Sequence, residues 1–266
     1  MVDSKLVMGI DVGASGIKGG IVDVTTGEML TERLKVETPQ PATPKAMAAA
    51  FKELIDMHNW EDGLIGVGFP SVVMNGVAMT AANIDDAWIG KSIEEIFGNI
   101  SGCPVITVND ADAAGLAEVK FGVGKGVKGS VIMITIGSGL GSGLFTDGKL
   151  VRNTEFGHFQ LKGMLAEHYA SDRTRREKDL SWNEWGERFN EYLIQLRRLF
   201  SPNLIILGGG SSKKFKKYSD QITVDTPIRI AEYLNKAGAI GAAIYAHEEY
   251  QGREEQVNGK LKVDNG

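Results

Sequence analysis

The chain has 266 residues, 42% of them hydrophobic and 24% charged, which is enough apolar material for one large core or two smaller ones. Its 29 lysines and arginines stand against 34 aspartates and glutamates, and this net charge of −5 argues against nucleic acid as a partner. The single cysteine excludes an intramolecular disulfide and a multi-cysteine metal site. With no secretory signal at its start and no stretch of roughly 20 apolar residues, the sequence predicts a cytoplasmic protein without a membrane segment.

The first part of the chain predicts strands followed by a helix. Runs at 5–12, 17–25 and 29–36, joined by short turns, predict an antiparallel meander. Thr43 followed by Pro44 predicts the start of a helix that ends near Asn59. Further predictions are a strand at 64–69, a hairpin turn at Asn75 and Gly76, and a short helix at about 92–98.

The second part repeats this plan. A predicted strand at 105–108 closes the first part, and the strands of the second part are predicted at 130–136, 141–147, about 149–152 and 203–208. From 181 to 200, behind a cap at Ser181, aromatic and aliphatic residues recur every three or four positions and predict a long amphipathic helix. The alternation predicts an α/β fold of two mixed-sheet domains with a cleft between them, 1–109 with about 238–250, and 110–237. The polar tail, 251–266, is predicted to be frayed.

A carboxylate follows the strand at 105–108 directly. Asp110 lies at the carboxyl end of this strand and at the start of a helix that runs to about Phe121. In open α/β sheets ligands bind at such positions, so Asp110 is a candidate catalytic residue. The alternative is that Asp110 or Asp112 only caps the helix.

Glycine-rich turns occur once in each predicted domain, in GIDVGASGIKGGIVD (9–23) and in ITIGSGLGSGLFTDG (134–148). Glycine lets backbone N–H groups approach an oligophosphate, and Ser15, Ser138 and Ser142 add hydroxyl donors. Both turns lead into a strand, so neither is a Rossmann fingerprint. A third cluster, LIILGGGSSKKFKK (204–217), predicts either a phosphate site at a helix start or a plain strand-to-helix connection.

These segments resemble the ROK sugar kinases of the actin-like phosphotransferase superfamily. DVGASGIKGG is similar to the first phosphate loop of that family, VNDADAAGLAE to its catalytic segment, and IGSGLGSGLFTDGKL to its second phosphate loop. NTEFGHF is similar to its Glu-x-Gly-His sugar motif, LAEHYAS to a further sugar-contacting segment, and the triple glycine to its adenosine-side turn. The matches run in the family's order from residue 9 to about 245. The resemblance implies a two-domain actin-like ATPase (ribonuclease H-like) fold.

The resemblance also implies roles for individual residues. Asp110 is the expected general base, and the expected sugar-binding residues are Asn83, Asn109, Glu155, His158 and Glu167, with Ser71 as a further candidate. The expected phosphate-binding residues are Asp11, Gly13, Ser15, Lys18, Ser138, Gly139, Gly141, Gly209 and Gly210. Asp11 is also expected to hold Mg²⁺ through water, as that ion prefers carboxylate and phosphate oxygens. By the same resemblance we expect a homodimer.

The sequence departs from the family at one motif. Typical members carry a CxCGxxGCxE zinc motif between the His and Glu segments, whereas FQLKGMLAEHYAS contains no cysteine, so no zinc is expected. Among members without zinc, GASGIKGG, TEFGH, LSWNEW and FSPNLIILGGGSSKK most resemble the glucokinases that use inorganic polyphosphate. The expected reaction is phosphorylation of glucose at its 6-hydroxyl by polyphosphate, with ATP as a second donor.

A long polyanion calls for a basic track, and the sequence offers two candidates. One comprises Lys213, Lys214, Lys216 and Lys217, and the other comprises Arg173, Arg175, Arg176 and Lys178. The alternative for both is a merely solvated surface.

Three other functions stay open at this point. The first is an ATP-dependent ROK hexokinase acting on glucose, mannose or a related sugar. The second is a sugar-responsive repressor, but because the first strand begins at about Lys5 we expect no added winged helix. The third is a non-catalytic sugar-sensing protein, against which Asp110 and the two phosphate loops argue.

Overall fold

The computed structural model describes residues 5–82 and 84–263, with residues 257–263 as backbone alone. These residues divide into two compact units. One comprises the described residues up to Ala113 together with those from Gly238, and the other comprises Ala114–Ala237. No helix in the described ranges is long and apolar enough to cross a bilayer.

Strands and helices alternate along the chain. The strands are β1 (Leu6–Gly13), β2 (Gly16–Asp23), β3 (Glu28–Met29), β4 (Leu34–Val36), β5 (Ile65–Phe69), β6 (Val73–Met74), β7 (Val77–Ala78), β8 (Val105–Asn109), β9 (Ser130–Ile136), β10 (Leu140–Thr146), β11 (Lys149–Val151), β12 (Gln160–Leu161), β13 (Met164–Leu165), β14 (Leu204–Gly208) and β15 (Ile228–Ile230). The α-helices are α1 (Pro44–Met57), α2 (Ile93–Ser101), α3 (Asp110–Lys120), α4 (Ala166–Ala170), α5 (Asp172–Glu177), α6 (Trp182–Phe200) and α7 (Ala237–Val263).

The first unit is built on a six-stranded mixed sheet of order β3-β2-β1-β5-β8, with β4 also paired to β2. β1 and β2 form an antiparallel hairpin, while β5 runs parallel to β1 and β8 runs parallel to β5. The carboxyl ends of β1, β5 and β8 therefore lie at one edge of the sheet, which is where open α/β sheets place ligand-binding residues.

Helix α7 packs directly against this sheet because glycines lie beneath it. A Cβ atom on Gly9 of β1 would lie 2.2 Å from the Ala239 carbonyl oxygen, and one on Gly66 of β5 would lie 2.1 Å from the Ala242 carbonyl oxygen. Both distances are far inside van der Waals contact, so the two strands accept only glycine at these points. Strands β1 and β5 from the first part of the chain and helix α7 from the last part thus belong to one unit.

Two predicted features of this unit differ from the structure. The predicted strand at 29–36 is split into β3 and β4, because the backbone leaves the sheet between them and each pairs separately with β2. The predicted frayed tail lies within α7 as far as Val263. Arg253 on that helix pairs with Glu94 of α2 (Nη1–Oε2, 3.3 Å) and with Glu249 one turn earlier (Nε–Oε1, 3.7 Å), and both contacts favour the helix there.

The second unit has a five-stranded sheet of order β11-β10-β9-β14-β15. The β9–β10 hairpin is antiparallel, and β14 runs parallel to both β9 and β15. Helix α6 packs on this unit through the predicted aromatic face, since Trp185, Phe189 and Tyr192 are fully buried. Ser181 and Glu184 form a capping box at its start, which confirms the predicted cap.

Candidate functional site

The junction of β8 and α3 carries Asn109 and Asp110. Asn109 is buried, and its side-chain oxygen accepts hydrogen bonds from the backbone N–H groups of Ala111 (2.9 Å) and Asp112 (3.1 Å). Its side-chain nitrogen donates to the Ser71 carbonyl at 3.0 Å. Asn109 is therefore the residue that caps α3, a role that the sequence analysis gave as the alternative for Asp110 or Asp112.

This cap limits what Asn109 offers a ligand. Its amide oxygen already accepts two bonds and one of its two amide hydrogens is used, so the other hydrogen remains for a ligand. Asp110 is half-buried, and its Oδ1 accepts from the Ala111 N–H at 2.8 Å. The Ser71 hydroxyl lies within donating distance of the carbonyls of Val72 (2.9 Å) and Thr80 (2.8 Å) and accepts from the Thr80 N–H (3.2 Å), so Ser71 holds a loop in place.

The first glycine turn joins β1 to β2, where Gly13 pairs with Gly16 across a turn of Ala14 and Ser15. Ser15 is exposed, and the Nζ atom of Lys18 lies 3.9 Å from the point where a Cβ on Gly13 would be. The Lys18 ammonium group therefore lies beside an open backbone turn, which is the arrangement expected for binding phosphate.

Asp11 faces Lys18 across the same hairpin and is half-buried. Its carboxyl group lies against the first turn of α7, since a Cβ on Gly238 would be 2.8 Å from the Asp11 Oδ1. Burial raises the pKa of Asp11, while the charges of Lys18 and Arg33 act in the opposite direction. A cation bound there would favour the ionised form.

The second glycine turn, 137–139, joins β9 to β10. The N–H of Gly137 donates to the Gly139 carbonyl at 3.1 Å, and Ser138 at the tip is exposed. Ser142 does not face a ligand as expected, because its side chain is buried, donates to the Thr154 carbonyl and accepts from the Phe156 N–H at 2.8 Å. Its hydroxyl instead holds the segment that carries Glu155.

Two glutamates and a histidine come together beside this turn. His158 lies between them, with Nδ1 at 3.9 Å from Glu155 Oε2 and Nε2 at 3.7 Å from Glu167 Oε1. A Cβ on Gly139 would lie 2.4 Å from Glu167 Oε2, so the Glu167 carboxylate rests directly on the glycine turn. Three of the five predicted sugar-binding residues therefore form one cluster against a candidate phosphate loop.

Burial raises the pKa of Glu155, while the charge of His158 lowers it and that of Glu167 raises it. His168 was not singled out from the sequence, and its Nε2 lies 3.8 Å from Glu167 Oε1. The sequence signal that could have identified His168 is its position directly after Glu167 in LAEHYAS.

The third glycine cluster follows β14. Gly209 has φ of 78°, and a Cβ there would lie 2.5 Å from the Ile136 carbonyl oxygen, so this turn packs on the end of β9 beside Gly137. The predicted helix after it is instead a 3₁₀ segment, Ser211–Lys217, with Lys214 outside helical angles. This segment does not provide the α-helix N-terminus that would hold a phosphate.

Asn83, a predicted sugar-binding residue, lies outside the described residues. Among the residues that are described, no three or more His, Cys, Asp or Glu side chains are grouped so as to hold a metal ion.

The sequence profile of the ROK family matches residues 7–179. The chain belongs to the ROK family. A polyphosphate glucokinase of Mycobacterium tuberculosis is 43% identical to this ROK protein over 237 residues, which are 89% of this chain and 89% of that one. This degree of identity and coverage confirms the resemblance seen in the motifs.

Solved ROK structures confirm the predicted two-domain, actin-like α/β fold. An inorganic polyphosphate/ATP-glucomannokinase from an Arthrobacter species has 43% identity and a TM-score of 0.88, covering 92% of this chain and 99% of that one. A ROK family glucokinase from Streptomyces griseus, solved with glucose and AMPPNP, has 27% identity and a TM-score of 0.76, covering 91% of this chain and 99% of that one.

Proposed function

We propose that this ROK protein transfers a phosphoryl group from inorganic polyphosphate to the 6-hydroxyl of glucose. The observation that carries the proposal is the position of Glu167, whose carboxylate both faces His158 at 3.7 Å and rests on the glycine turn at Gly139. Acceptors suited to sugar hydroxyls thus lie next to a turn suited to phosphate. The 43% identity to proteins named polyphosphate glucokinase and polyphosphate/ATP-glucomannokinase supports this choice of substrates.

Glu155, His158 and Glu167 are assigned to the sugar hydroxyls. Carboxylates accept hydrogen bonds from hydroxyl groups, and a histidine ring both donates and accepts, so the cluster can bind several adjacent hydroxyls. Asn109 can donate one further hydrogen bond to the sugar, from the amide hydrogen that its bonds within the protein do not use. Asn83 keeps its expected role as a further contact.

Asp110 is assigned the role of general base for the 6-hydroxyl. The transition state of phosphoryl transfer is loose, so the base is needed late and the main tasks are positioning and charge stabilisation. The backbone bond from Ala111 and the start of a helix at this point hold the carboxylate in place.

The glycine turns are assigned to the phosphates of the donor. Gly13, Ser15 and Lys18 form one set, and Ser138, Gly139 and Gly141 a second. Gly209 and Gly210 keep their expected role as a third set, through the backbone of their turn and not through a helix N-terminus. Exposed backbone and hydroxyl donors at Ser15 and Ser138 support this role.

Asp11 fits Mg²⁺ in the form that the ion commonly takes beside phosphates. Mg²⁺ keeps several waters and binds through one or two carboxylates plus substrate phosphates, so a single half-buried carboxylate is sufficient. When bound there, the ion would neutralise charge on the phosphates of the donor. Lys18, facing Asp11 across the hairpin, would bind phosphate alongside it.

The test is an initial-rate assay with glucose, Mg²⁺ and polyphosphate that contains no nucleotide. We expect glucose 6-phosphate to form. The same assay with ATP examines the second candidate, an ATP-dependent ROK hexokinase, which the likeness to the Streptomyces griseus glucokinase with AMPPNP favours. If glucose 6-phosphate forms with ATP but not with polyphosphate, the donor is ATP. If no product forms with either donor, the result indicates a sugar-sensing protein. The same assays with mannose in place of glucose test the acceptor.

A cytoplasmic location and a homodimer remain part of the proposal. Sedimentation of the purified chain measures the second directly.

A further inference from the structure

The two basic segments that the sequence offered as alternatives meet at one tryptophan. The guanidinium carbon of Arg175 lies 4.2 Å from the ring centroid of Trp182, and the Nζ atom of Lys217 lies 5.9 Å from the same ring. Arg175 belongs to α5, and Lys217 ends the 3₁₀ segment after the triple glycine. We call the cations of these two meeting segments, Arg173, Arg175, Lys213, Lys214 and Lys217, the Trp182 basic surface.

The Trp182 ring is held firmly. It stacks on Tyr218 with centroids 5.9 Å apart and meets Trp185 edge-on at 5.7 Å, and both of those side chains are fully buried. An aromatic ring attracts cations to its face. Trp182 therefore gathers positive charges from two distant parts of the sequence, 175 and 217, at a fixed place.

This surface continues from the glycine turns of the same unit. The backbone N–H of Arg173 donates to the Gly137 carbonyl at 3.4 Å, which places the start of α5 on the second glycine turn. Gly209 packs on Ile136, at the end of the same strand, and Lys213 and Lys214 follow Gly209 within five residues. A phosphate chain that leaves either turn would pass onto these cations.

Most of these cations are not neutralised within the protein. Arg173, Lys213, Lys214 and Lys217 are exposed and form no ion pair with any carboxylate in the described ranges. Arg175 is the exception, because Asp172 pairs with it at 2.8 Å and also with Arg176 at 3.1 Å. A local excess of positive charge is notable in a chain whose net charge is −5, since such a chain repels polyanions elsewhere.

We propose that the Trp182 basic surface binds the part of an inorganic polyphosphate chain that extends beyond the transferred phosphoryl group. This inference rests on the proposed function for the identity of the anion. The aromatic face nearest the cations is covered by Arg175, so it offers little to a nucleobase, and this favours an inorganic chain over single-stranded RNA.

The test compares two double variants. Lys213→Ala/Lys217→Ala removes two exposed charges of the surface, and the control Lys128→Ala/Lys149→Ala removes two exposed charges elsewhere in the same unit. With saturating glucose, we expect the first variant to raise the KM for long-chain polyphosphate by about tenfold. The KM for tripolyphosphate, the KM for glucose and kcat should stay close to those of the unaltered protein.

Salt dependence supplies a second readout. The KM for long-chain polyphosphate should rise with salt less steeply in Lys213→Ala/Lys217→Ala, because fewer charged contacts remain to be screened. Lys213→Arg/Lys217→Arg should restore binding, since the charge is kept. Equal losses with long and short donors, or an equal loss in the control variant, would overturn the proposal.

Direct binding separates this inference from the proposed function. Titration of the protein with long-chain polyphosphate in a calorimeter measures affinity without turnover. Binding that Lys213→Ala/Lys217→Ala weakens, even if no phosphoryl transfer occurs, supports the surface while contradicting the proposed donor. Failure of the unaltered protein to bind polyphosphate, or tighter binding of single-stranded RNA of equal charge, overturns the inference.

Discussion

Asn109 and Asp110 are neighbours in sequence but their side chains are used differently. Asn109 is fixed by three hydrogen bonds, two of them from the first turn of α3. Because Asn109 satisfies that turn, Asp110 is not required as its cap. Asp110 is thus not the only acceptor at the start of this helix, and a neutral variant at this position should keep the fold.

Asp110→Asn is therefore expected to lower kcat by about 10²–10⁴-fold, the usual contribution of a general base. The KM for glucose should change little, because the amide has nearly the same size and the sugar is held by other residues. Initial rates with glucose and polyphosphate measure both values, and thermal unfolding checks the fold. Glu95→Gln, at an exposed carboxylate of the same unit, is the control, and a kcat for Asp110→Asn as high as the control's would exclude Asp110 as the base.

The raised pKa of Glu155 makes the stability of the fold depend on pH. Burial raises its pKa, so the folded protein holds this proton more tightly than the unfolded chain does. The contribution of Glu155 to the free energy of unfolding is therefore largest below the ordinary glutamate pKa of the unfolded chain, and it is lost as the pH rises through the raised pKa of the folded protein. Glu155→Gln, which has no charge to desolvate, should unfold at a higher temperature than the unaltered protein at neutral pH, and the two should converge at acid pH.

The same variant should bind glucose more weakly at neutral pH, since an amide oxygen is a poorer acceptor than a carboxylate. For the unaltered protein, the KM for glucose should rise as pH falls through the raised pKa, and this rise should be absent from Glu155→Gln. Thermal unfolding and KM measured across the same pH series test both effects. A melting temperature of Glu155→Gln below that of the unaltered protein at neutral pH would contradict the assigned cause of the shift.

At the scale of elements, helix α6 holds the segment between His158 and Glu167. The hairpin β12–β13 lies between these two residues in sequence, with Lys162 in its turn. Glu191 of α6 pairs with Lys162 (Nζ–Oε2, 3.2 Å) and accepts from the Tyr169 hydroxyl (3.2 Å), while the Tyr192 ring stacks on Phe159 at 5.5 Å. Both sides of the hairpin are therefore fixed to one helix.

Glu191→Ala should loosen this attachment and raise the KM for glucose about threefold, with kcat and the KM for polyphosphate nearly unchanged. The effect on stability should be small, because the Glu191 side chain is 39% exposed and its partner Lys162 is 57% exposed. Glu187→Ala, an exposed residue on the same helix, is the matched control. Equal glucose KM values for the two variants would show that this contact does not position the cluster.

Elements with strong local signals were predictable from the sequence. The capping residues Thr43 and Ser181 and the hairpin at Asn75 and Gly76 lie where the sequence places them, since caps and tight turns depend on nearby residues. The 3₁₀ segment after Gly210 and the extension of α7 past residue 251 were not predicted, because both depend on distant packing partners.

The candidate site follows the same rule. Motif order identified Glu155, His158 and Glu167 as candidates, and the structure brings them together. The cap by Asn109 and the meeting of two basic segments at Trp182 could not be predicted, because each depends on a tertiary contact that leaves no local pattern.

At the scale of the whole molecule, the first and last parts of the chain are interdependent. Strands β1 and β5 are complete only when α7 lies on them, and the distances at Gly9 and Gly66 leave no space for a side chain. The start of α7 also meets the carboxylate of Asp11, at the end of that same sheet. Packing of the terminal helix should therefore affect both the stability of the fold and the site around Asp11.

Gly66→Ala provides the test, because its Cβ would lie 2.1 Å from the Ala242 carbonyl and 2.5 Å from the carbonyl carbon. Since these are backbone atoms, α7 or β5 must shift, and we expect a loss of about 1–3 kcal/mol in the free energy of unfolding. Gly98→Ala, within α2, is the control. A Cβ there would lie an ordinary 3.5 Å from the Cys103 carbonyl oxygen, and alanine should stabilise the helix by about 0.5–1 kcal/mol.

Denaturant unfolding of the two glycine variants separates a specific close contact from the general effect of replacing glycine. Opposite shifts of the unfolding midpoint, downward for Gly66→Ala and upward for Gly98→Ala, are expected. Gly66 pairs with Gly9 of β1, and Asp11 lies two residues after Gly9 on that strand, against the start of α7. A shift of α7 should therefore disturb Asp11 and also raise the KM for the phosphoryl donor. Unchanged stability in Gly66→Ala would mean that α7 does not depend on this contact.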